Sequence, residues 1–156
     1  MKLYLVQHGA ALAKEVDPAR PLSEPGRQDV QAMANFLSGA GIRVERLWHS
    51  GKSRAEQTAQ LLAKAVLPRG RIEQVGGIGP NDDVSGFVSD ADVWEQDTLV
   101  VGHLPFLSRL VAWLVTGDPE HGVVGFVPGS VVCLQRCDVD RWLLLWMIRP
   151  DLLVRQ

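Results

Sequence analysis

The chain has 156 residues, of which 46% are hydrophobic and 22% charged, and its formal net charge is −2. This length is typical of one domain and too short for two independent cores, so residues 1–156 are expected to form a single domain. The basic residues are not gathered into a stripe, which argues against a nucleic-acid partner. The longest late apolar run, Trp142 to Ile148, is far shorter than the roughly 20 residues of a membrane helix, so no membrane is expected as a partner.

The two cysteines, Cys133 and Cys137, lie four residues apart in a predicted strand. They are too few for a disulfide framework. In a straight strand their Cα atoms are about 13 Å apart, beyond the roughly 7 Å limit for a disulfide. We therefore expect two buried free thiols, as in a reducing compartment. No signal peptide is visible, so the expected location is the cytoplasm.

Strand and helix patterns alternate along most of the chain. A buried strand at 2–7 is followed by a helix that Ser23 caps and Gly39 ends. The next predicted elements are a strand from about 44 to 49, a helix within 50–67, a strand at 71–75, a short helix at about 82–88, a strand at 97–103 and a helix at 105–115. This alternation predicts an α/β sandwich with a mostly parallel central sheet.

The segment 130–148 differs from the rest because two strand patterns directly flank Asp138 and Asp140. Such adjacency indicates an antiparallel C-terminal hairpin, which would add an antiparallel edge to the sheet. Trp142 and Trp146 are four residues apart on the second strand, so they are expected to share one of its faces.

Polar side chains follow three of the predicted parallel strands. In open α/β sheets, ligands bind outside the carboxyl ends of the strands. The residues delivered there are Gln7, His8 and Gly9 from the first strand, His49 and Ser50 from the second with Arg54 one turn into the next helix, and Gly102 and His103 from the fourth. Each could be structural when taken singly, but their coincidence predicts a functional pocket at this edge.

Phosphoryl transfer is the chemistry that such a pocket suits. The neutral imidazole of His8 is a competent nucleophile toward phosphorus, and a phosphohistidine intermediate divides hydrolysis into two easier steps. Arg54 offers a planar fork of donors for the phosphoryl oxygens, and His103 could donate from an imidazolium. The N-termini of the two following helices also favour anions. Gly9 would let the backbone lie close to the bound group.

A metal-dependent hydrolase that uses His8, His49 and His103 is a competing interpretation. It is disfavoured because no two of these histidines have the spacing that places ligands on one helix or strand face. We expect no metal and no other cofactor. His49 is expected to pack or to support the pocket from behind, and His121 to be an exposed loop residue.

These motifs together resemble the histidine phosphatase superfamily, which is phosphoglycerate mutase-like, and within it the SixA-type phosphohistidine phosphatases. The resemblance rests on His8-Gly9, "RPLSEPGR" at 20–27, "SGKSRAEQTA" at 50–59, "GHLPFLSRLVAWL" at 102–114 and the final hairpin. It implies a three-layer α/β/α sandwich, His8 as the phosphorylated nucleophile, and Arg54 and His103 as catalytic residues that hold the phosphoryl group without a metal. It also implies that the partner is a phosphorylated signalling protein of the histidine phosphotransfer type.

Gln7 departs from the family pattern, which has Arg-His-Gly where this chain has Gln-His-Gly. An amide replaces a guanidinium, and a lost charged hydrogen bond costs roughly 1.5–3 kcal/mol. Lys14 and Lys52 are candidates to supply the missing charge. Two functions therefore stay open: a phosphatase, and a phosphate-recognising module with weak or no turnover.

The leaving group decides the substrate class. Family members that cleave phosphate esters of alcohols usually carry an acid for the departing oxygen, and Asp82 and Asp83 are the only candidates. Asn81 and Asp82 could instead cap the short helix. An imidazole leaves more readily than an alkoxide, which favours a phosphohistidine over a small-molecule phosphomonoester. Gln7, Gly9, Ser50 and Asp82 are the predicted substrate-binding residues.

Overall fold

The computed structural model describes residues 1–91, 94–138 and 140–153. In chain order its elements are β1 (Lys2–Gln7), α1 (Glu24–Gly39), β2 (Arg46–His49), α2 (Ser53–Val66), β3 (Ile72–Gln74), α3 (Val84–Ala91), β4 (Thr98–Gly102), α4 (Phe106–Thr116), β5 (Val131–Asp138), β6 (Arg141–Ile148) and a 3₁₀ turn at Pro150–Leu152. The predicted alternation of strand and helix is confirmed, with shifts of a few residues at the boundaries. Val139, in the predicted hairpin turn, lies outside the described residues.

One six-stranded sheet forms the middle layer, in the order β3-β2-β4-β1-β5-β6. Strands β3, β2, β4 and β1 are mutually parallel, whereas β5 pairs antiparallel with both β1 and β6. The mostly parallel sheet and its antiparallel hairpin edge are therefore confirmed. β1 and β4 lie at the centre, which explains why both are apolar on each face.

Helices cover both faces of this sheet and make the three-layer sandwich. Helices α1 and α2 pack on one face, where Tyr4 and Val6 of β1 join their apolar cluster. Helices α3 and α4 pack on the other face, where Leu3 and Leu5 do the same. Successive side chains of a strand point to opposite faces, so β1 alone contributes to both apolar clusters.

The start of α1 holds the loop that follows β1. Ser23 caps the helix by accepting a hydrogen bond from the Gly26 N–H, and its own N–H donates to the Ala10 carbonyl. A Cβ at Gly26 would collide with that same Ala10 oxygen. The "RPLSEPGR" segment therefore contains a glycine because the chain after His8 runs directly against the helix.

The prediction that Trp142 and Trp146 share one face of their strand is wrong. A β-bulge lies between the pairs Cys133–Trp146 and Leu134–Leu144. The extra residue reverses the facing of the strand. Trp146 therefore packs against Tyr4 on the α1/α2 face, whereas Trp142 is buried on the α3/α4 face.

The cysteine prediction holds only in part. Both thiols are free, but only Cys133 is buried and Cys137 is exposed. A second irregularity between Arg136 and Asp138 changes the pairing near Cys137.

Among the helices that the structure describes, none is long and apolar enough to cross a bilayer.

Gly26→Ala is expected to lower the free energy of unfolding by about 1–3 kcal/mol, because the added methyl group must displace the Ala10 carbonyl. Gly39→Ala is the matched control, since it lies on the same helix with nothing within 4 Å of an added Cβ. Urea unfolding monitored by circular dichroism measures both. Equal stability of the two variants would contradict the account of this contact.

Candidate active site

His8 and His103 come together because β1 and β4 pair in register. Gln7 lies opposite Gly102, so the residues that follow, His8 and His103, leave the sheet side by side. The His8 N–H donates to the Gly102 carbonyl at 3.1 Å, which extends the pairing by one residue. The two imidazole centroids are 5.0 Å apart. The sequence prediction that these strand ends meet at one edge is confirmed.

The His8 ring is held in one tautomer. Its Nδ1 lies 2.8 Å from the Gly9 carbonyl oxygen, which can only accept, so Nδ1 carries the proton. Nε2 is then the atom with the free lone pair. Burial lowers the pKa of His8, the Gly9 carbonyl acts in the opposite direction, and the charge of Arg54 lowers it further. His8 is therefore neutral at pH 7, which is the form a nucleophile needs.

His103 is almost fully buried, at 1% exposure. Its Nε2 lies 2.6 Å from the Ser50 hydroxyl oxygen, whereas its Nδ1 is buried without a hydrogen-bond partner among the described residues. Burial, followed by the charges of His8 and Arg54, lowers the pKa of His103 to about 3. The expectation that His103 donates from an imidazolium is therefore wrong for the protein alone at pH 7. A neutral ring still offers one N–H.

Arg54 is the second residue of α2, and the loop after β2 brings it to the histidines. Its Nε is buried and bonds to no other group in the described ranges. Thr58, one turn later, fixes this end of the helix: its hydroxyl donates to the Arg54 carbonyl at 2.7 Å and accepts from the Gly9 N–H at 3.0 Å. Thr58 is not among the predicted site residues, yet it links the nucleophile strand to Arg54.

Packing against helix α1 gives one reason for a glycine at position 9. A Cβ there would lie 2.7 Å from Val30 Cγ2, so the missing side chain faces helix α1. The Gly9 N–H already donates to Thr58 and its carbonyl accepts from His8. Gly9 thus positions His8, and the close approach of a substrate to its backbone stays a prediction.

Gln7 is buried at 8% exposure and lines the cleft. Its backbone N–H donates to Ser130 and its carbonyl accepts from the Gly129 N–H, so the loop before β5 holds it. Its side-chain Oε1 is buried with no partner in the part of the chain that the structure describes. The amide therefore stands at the edge of the cleft with one polar atom unsatisfied.

One cleft contains the main predicted residues. Its polar lining consists of Gln7, His8, Arg20, Arg54 and His103, and the remaining lining residues are alanine, proline and leucine. Sequence reasoning missed Arg20, although it opens the quoted segment "RPLSEPGR". Lys14 and Lys52 are exposed and do not line the cleft, but the charge of Lys52 contributes to the lowered pKa of His103.

The carboxylates of the two candidate acids accept hydrogen bonds from nearby backbone N–H groups. The Asp82 carboxylate accepts from the Gly79 N–H at 2.7 Å, and the Asp83 carboxylate accepts from the Ser85 N–H at 2.9 Å. The helix cap at α3 is therefore Asp83, whereas Asn81 and Asp82 were the predicted caps. Neither carboxylate lines the cleft. Ser50, predicted to bind substrate, has its hydroxyl on His103.

His49 is separate from the two cleft histidines. It is 6% exposed, and its Nδ1 accepts from the Gly51 N–H at 3.0 Å, which is the supporting role expected for it. His121 is exposed, as predicted. Among the described residues, no three His, Cys, Asp or Glu side chains gather in a group that could hold a metal ion.

Comparisons with known proteins identify the family. Residues 3–74 match the model of the histidine phosphatase superfamily, branch 1. The chain is 33% identical to the phosphohistidine phosphatase SixA of Escherichia coli strain K12 over 124 residues, which cover 76% of each protein. The solved structure of the protein histidine phosphatase SixA complexed with tungstate superimposes with a TM-score of 0.86 at 26% identity, covering 97% of this chain and 98% of that one.

A more distant structure, the alpha-ribazole phosphatase of Shigella flexneri, shares the fold with a TM-score of 0.70 at 16% identity, over 92% of this chain and 94% of that one. The phosphoglycerate mutase-like architecture is therefore shown. The chain belongs to the histidine phosphatase superfamily and is a phosphatase by class. Within that superfamily it is a homologue of SixA.

The lowered pKa of His103 predicts how stability depends on pH. The folded protein holds this ring neutral down to about pH 3, whereas an unfolded histidine takes up its proton near pH 6.5. Stability should therefore fall as the pH drops below about 6.5, by at most about 1.4 kcal/mol per pH unit from this residue. His103→Gln should remove that contribution.

Urea unfolding from pH 7 to about pH 4.5, in buffer without phosphate, measures this difference. The stability of wild type relative to His103→Gln is expected to decrease as the pH falls. His121→Gln serves as the control for the loss of a histidine on the surface. A constant difference between wild type and His103→Gln over the whole range would show that His103 titrates normally.

Proposed function

We propose that this protein is a metal-independent phosphohistidine phosphatase that acts on phosphorylated signalling proteins through a phosphohistidine intermediate on its own His8. The observation that carries the proposal is the tautomer of His8: the Gly9 carbonyl holds the Nδ1 proton, which leaves Nε2 as the nucleophilic atom. This ring lines the cleft with Arg54 and His103, each of which has a buried nitrogen without a partner in the described ranges.

The first step transfers the phosphoryl group to His8. Nε2 of His8 forms a bond to phosphorus while the bond from phosphorus to the substrate imidazole nitrogen breaks. That nitrogen keeps the electron pair, and the substrate ring, which already carries a proton on its other nitrogen, leaves as neutral imidazole. The His8 ring becomes cationic, and its Nδ1–H bond to the Gly9 carbonyl stabilises the charge. In the second step a water oxygen bonds to phosphorus while the bond to Nε2 breaks. Nε2 recovers its electron pair, so the His8 ring is neutral again, and the protons of the water leave with inorganic phosphate.

Arg54 and His103 would stabilise the oxygens of the transferring group. The charge of a phosphoryl group in transfer is spread over three equatorial oxygens, so donors around it lower the barrier. Arg54 lines the cleft and has a buried Nε without a partner in the described ranges, and Ser50 fixes the ring of His103 from the side of Nε2. The dianion would also raise the pKa of His103 and favour proton uptake there, because an opposite charge favours the charged form.

The choice of phosphohistidine over a phosphate ester rests on the leaving group. The charged groups that line the cleft are arginines, and the carboxylates of Asp82 and Asp83 already accept backbone N–H bonds nearby. An imidazole, unlike an alkoxide, departs with little help from such an acid. The likeness to SixA, which is named a phosphohistidine phosphatase, supports the same substrate class.

A cytoplasmic location is part of the proposal, supported by the two free thiols.

One specific observation favours a second function, a phosphate-recognising module with little turnover. Gln7 places a buried, unpaired amide oxygen at the cleft where the family motif has an arginine. The amide of Gln7 carries no positive charge, so transition-state stabilisation would be weaker than with a guanidinium.

Turnover of a radiolabelled phosphohistidine protein in EDTA separates the two functions. Wild type is expected to release many equivalents of phosphate, whereas His8→Ala should release none because the nucleophile is absent. His121→Ala, altered at an exposed loop residue, controls for handling of the variants. If a folded wild type binds the phosphoprotein but releases no phosphate, the phosphatase proposal is wrong and the binding function is supported.

The substrate preference is tested with phosphoramidate and glycerol phosphate as paired small substrates. We expect kcat/KM for the N–P bond to exceed that for the ester by about 10²-fold or more, the usual contribution of a general acid. Asp82→Asn should change neither value, because its carboxylate serves the Gly79 N–H. Equal rates for the two substrates, or a selective loss of ester hydrolysis in Asp82→Asn, would point to a phosphomonoesterase.

A further inference from the structure

Arg20 has an unusual position in the loop between β1 and α1. It is the one residue other than glycine, among those described, with a positive φ, at 49°. Such a conformation is unfavourable for a residue with a side chain and persists only where the surroundings determine it. Here the Arg20 N–H donates to Asp17 at 2.9 Å, and the neighbouring Pro21 carbonyl accepts from Leu12 at 2.8 Å.

The side chain of Arg20 is also held in place. Its Nε donates to the Leu12 carbonyl at 3.2 Å, and the residue lines the cleft beside His8, Arg54 and His103. A guanidinium has five N–H donors, so this one anchor leaves the terminal Nη groups to bind a ligand. A fork of two such nitrogens matches the spacing of two oxygens on a phosphoryl group.

The positive charge of Arg20 acts on the other ionisable groups of the site. It contributes to lowering the pKa of His8, of Arg54 and of His103. Within the described ranges, neither Arg20 nor Arg54 has a carboxylate within ion-pair distance. Two guanidinium groups that repel one another across a cleft, without a counter-charge from the protein, are arranged for a dianion.

We propose that Arg20 binds the transferring phosphoryl group together with Arg54 and supplies from the loop the positive charge that Gln7 lacks. This inference rests on the proposed function and names a further substrate-contacting residue for it. The two lysines considered from the sequence fit this role less well, because Lys14 and Lys52 are exposed and do not line the cleft.

The test measures anion affinity separately from turnover. Isothermal titration with tungstate gives Kd for wild type, Arg20→Gln, Arg20→Gly and Arg20→Lys at one ionic strength, and phosphohistidine turnover is measured alongside. Losing a charge-assisted hydrogen bond should weaken binding roughly ten- to hundredfold in Arg20→Gln. Arg20→Lys should retain part of the affinity, since it keeps the charge but loses the fork.

Arg20→Gly distinguishes binding from folding. Glycine adopts the positive φ without strain, so this variant should unfold at no lower urea concentration than wild type while its anion affinity falls as in Arg20→Gln. Arg27→Gln is the matched control, because Arg27 is an exposed arginine that does not line the cleft. Gln7→Arg combined with Arg20→Gln should recover most of the lost affinity.

The inference is overturned if Arg20→Gln and Arg20→Gly bind tungstate as tightly as the Arg27→Gln control, or if wild type does not bind it at all. Failure of the proposed function has a different signature. In that case wild type binds tungstate and loses affinity on substitution of Arg20, yet releases no phosphate from the phosphohistidine protein. That outcome would support the role of Arg20 in a binding module.

Discussion

The parallel pairing of β1 with β4 is the constraint on which the site depends. Because Gln7 faces Gly102 across this pair, the next residues, His8 and His103, leave the sheet together with their rings 5.0 Å apart. A shift of one residue would turn the side chains to the opposite faces. The apolar clusters on both faces of β1 therefore fix the site as well as the fold, since they hold this register.

The site contains positive charges and buried polar atoms that are unfavourable without a bound anion. Two histidines with lowered pKa values share a partly buried cleft with two arginines, and three polar atoms of Gln7, Arg54 and His103 are buried without partners in the described ranges. Such groups are unfavourable in a protein alone, since buried polar atoms are normally satisfied. The apolar packing of the helix layers on both sides of the sheet stabilises the fold enough to offset the unfavourable free energy of these buried polar atoms. A bound oxyanion would relieve it.

Much of the fold was predictable from the sequence, because strand and helix periodicities are local and the helix caps are short motifs. The convergence of His8, Arg54 and His103 was predictable for the same reason, once the strands were taken as parallel. The face of the sheet on which Trp146 lies was not predictable. One extra residue in a strand moves every later side chain of that strand to the opposite face. The roles of Gly9 and Arg20 were not predictable because each depends on a contact that the local sequence pattern does not show. For Gly9 it is the contact with helix α1, and for Arg20 it is the hydrogen bond to the Leu12 carbonyl across the loop.

Phosphorylation of His8 at Nε2 is best tested by detecting the intermediate itself. Wild-type protein is mixed rapidly with phosphoramidate, quenched in alkali at a series of times, digested and analysed by mass spectrometry. The peptide containing His8 is expected to gain the mass of one phosphoryl group and to lose it as inorganic phosphate accumulates. Hydrolysis without any phosphorylation of His8, or with the phosphoryl group on another residue, would contradict it.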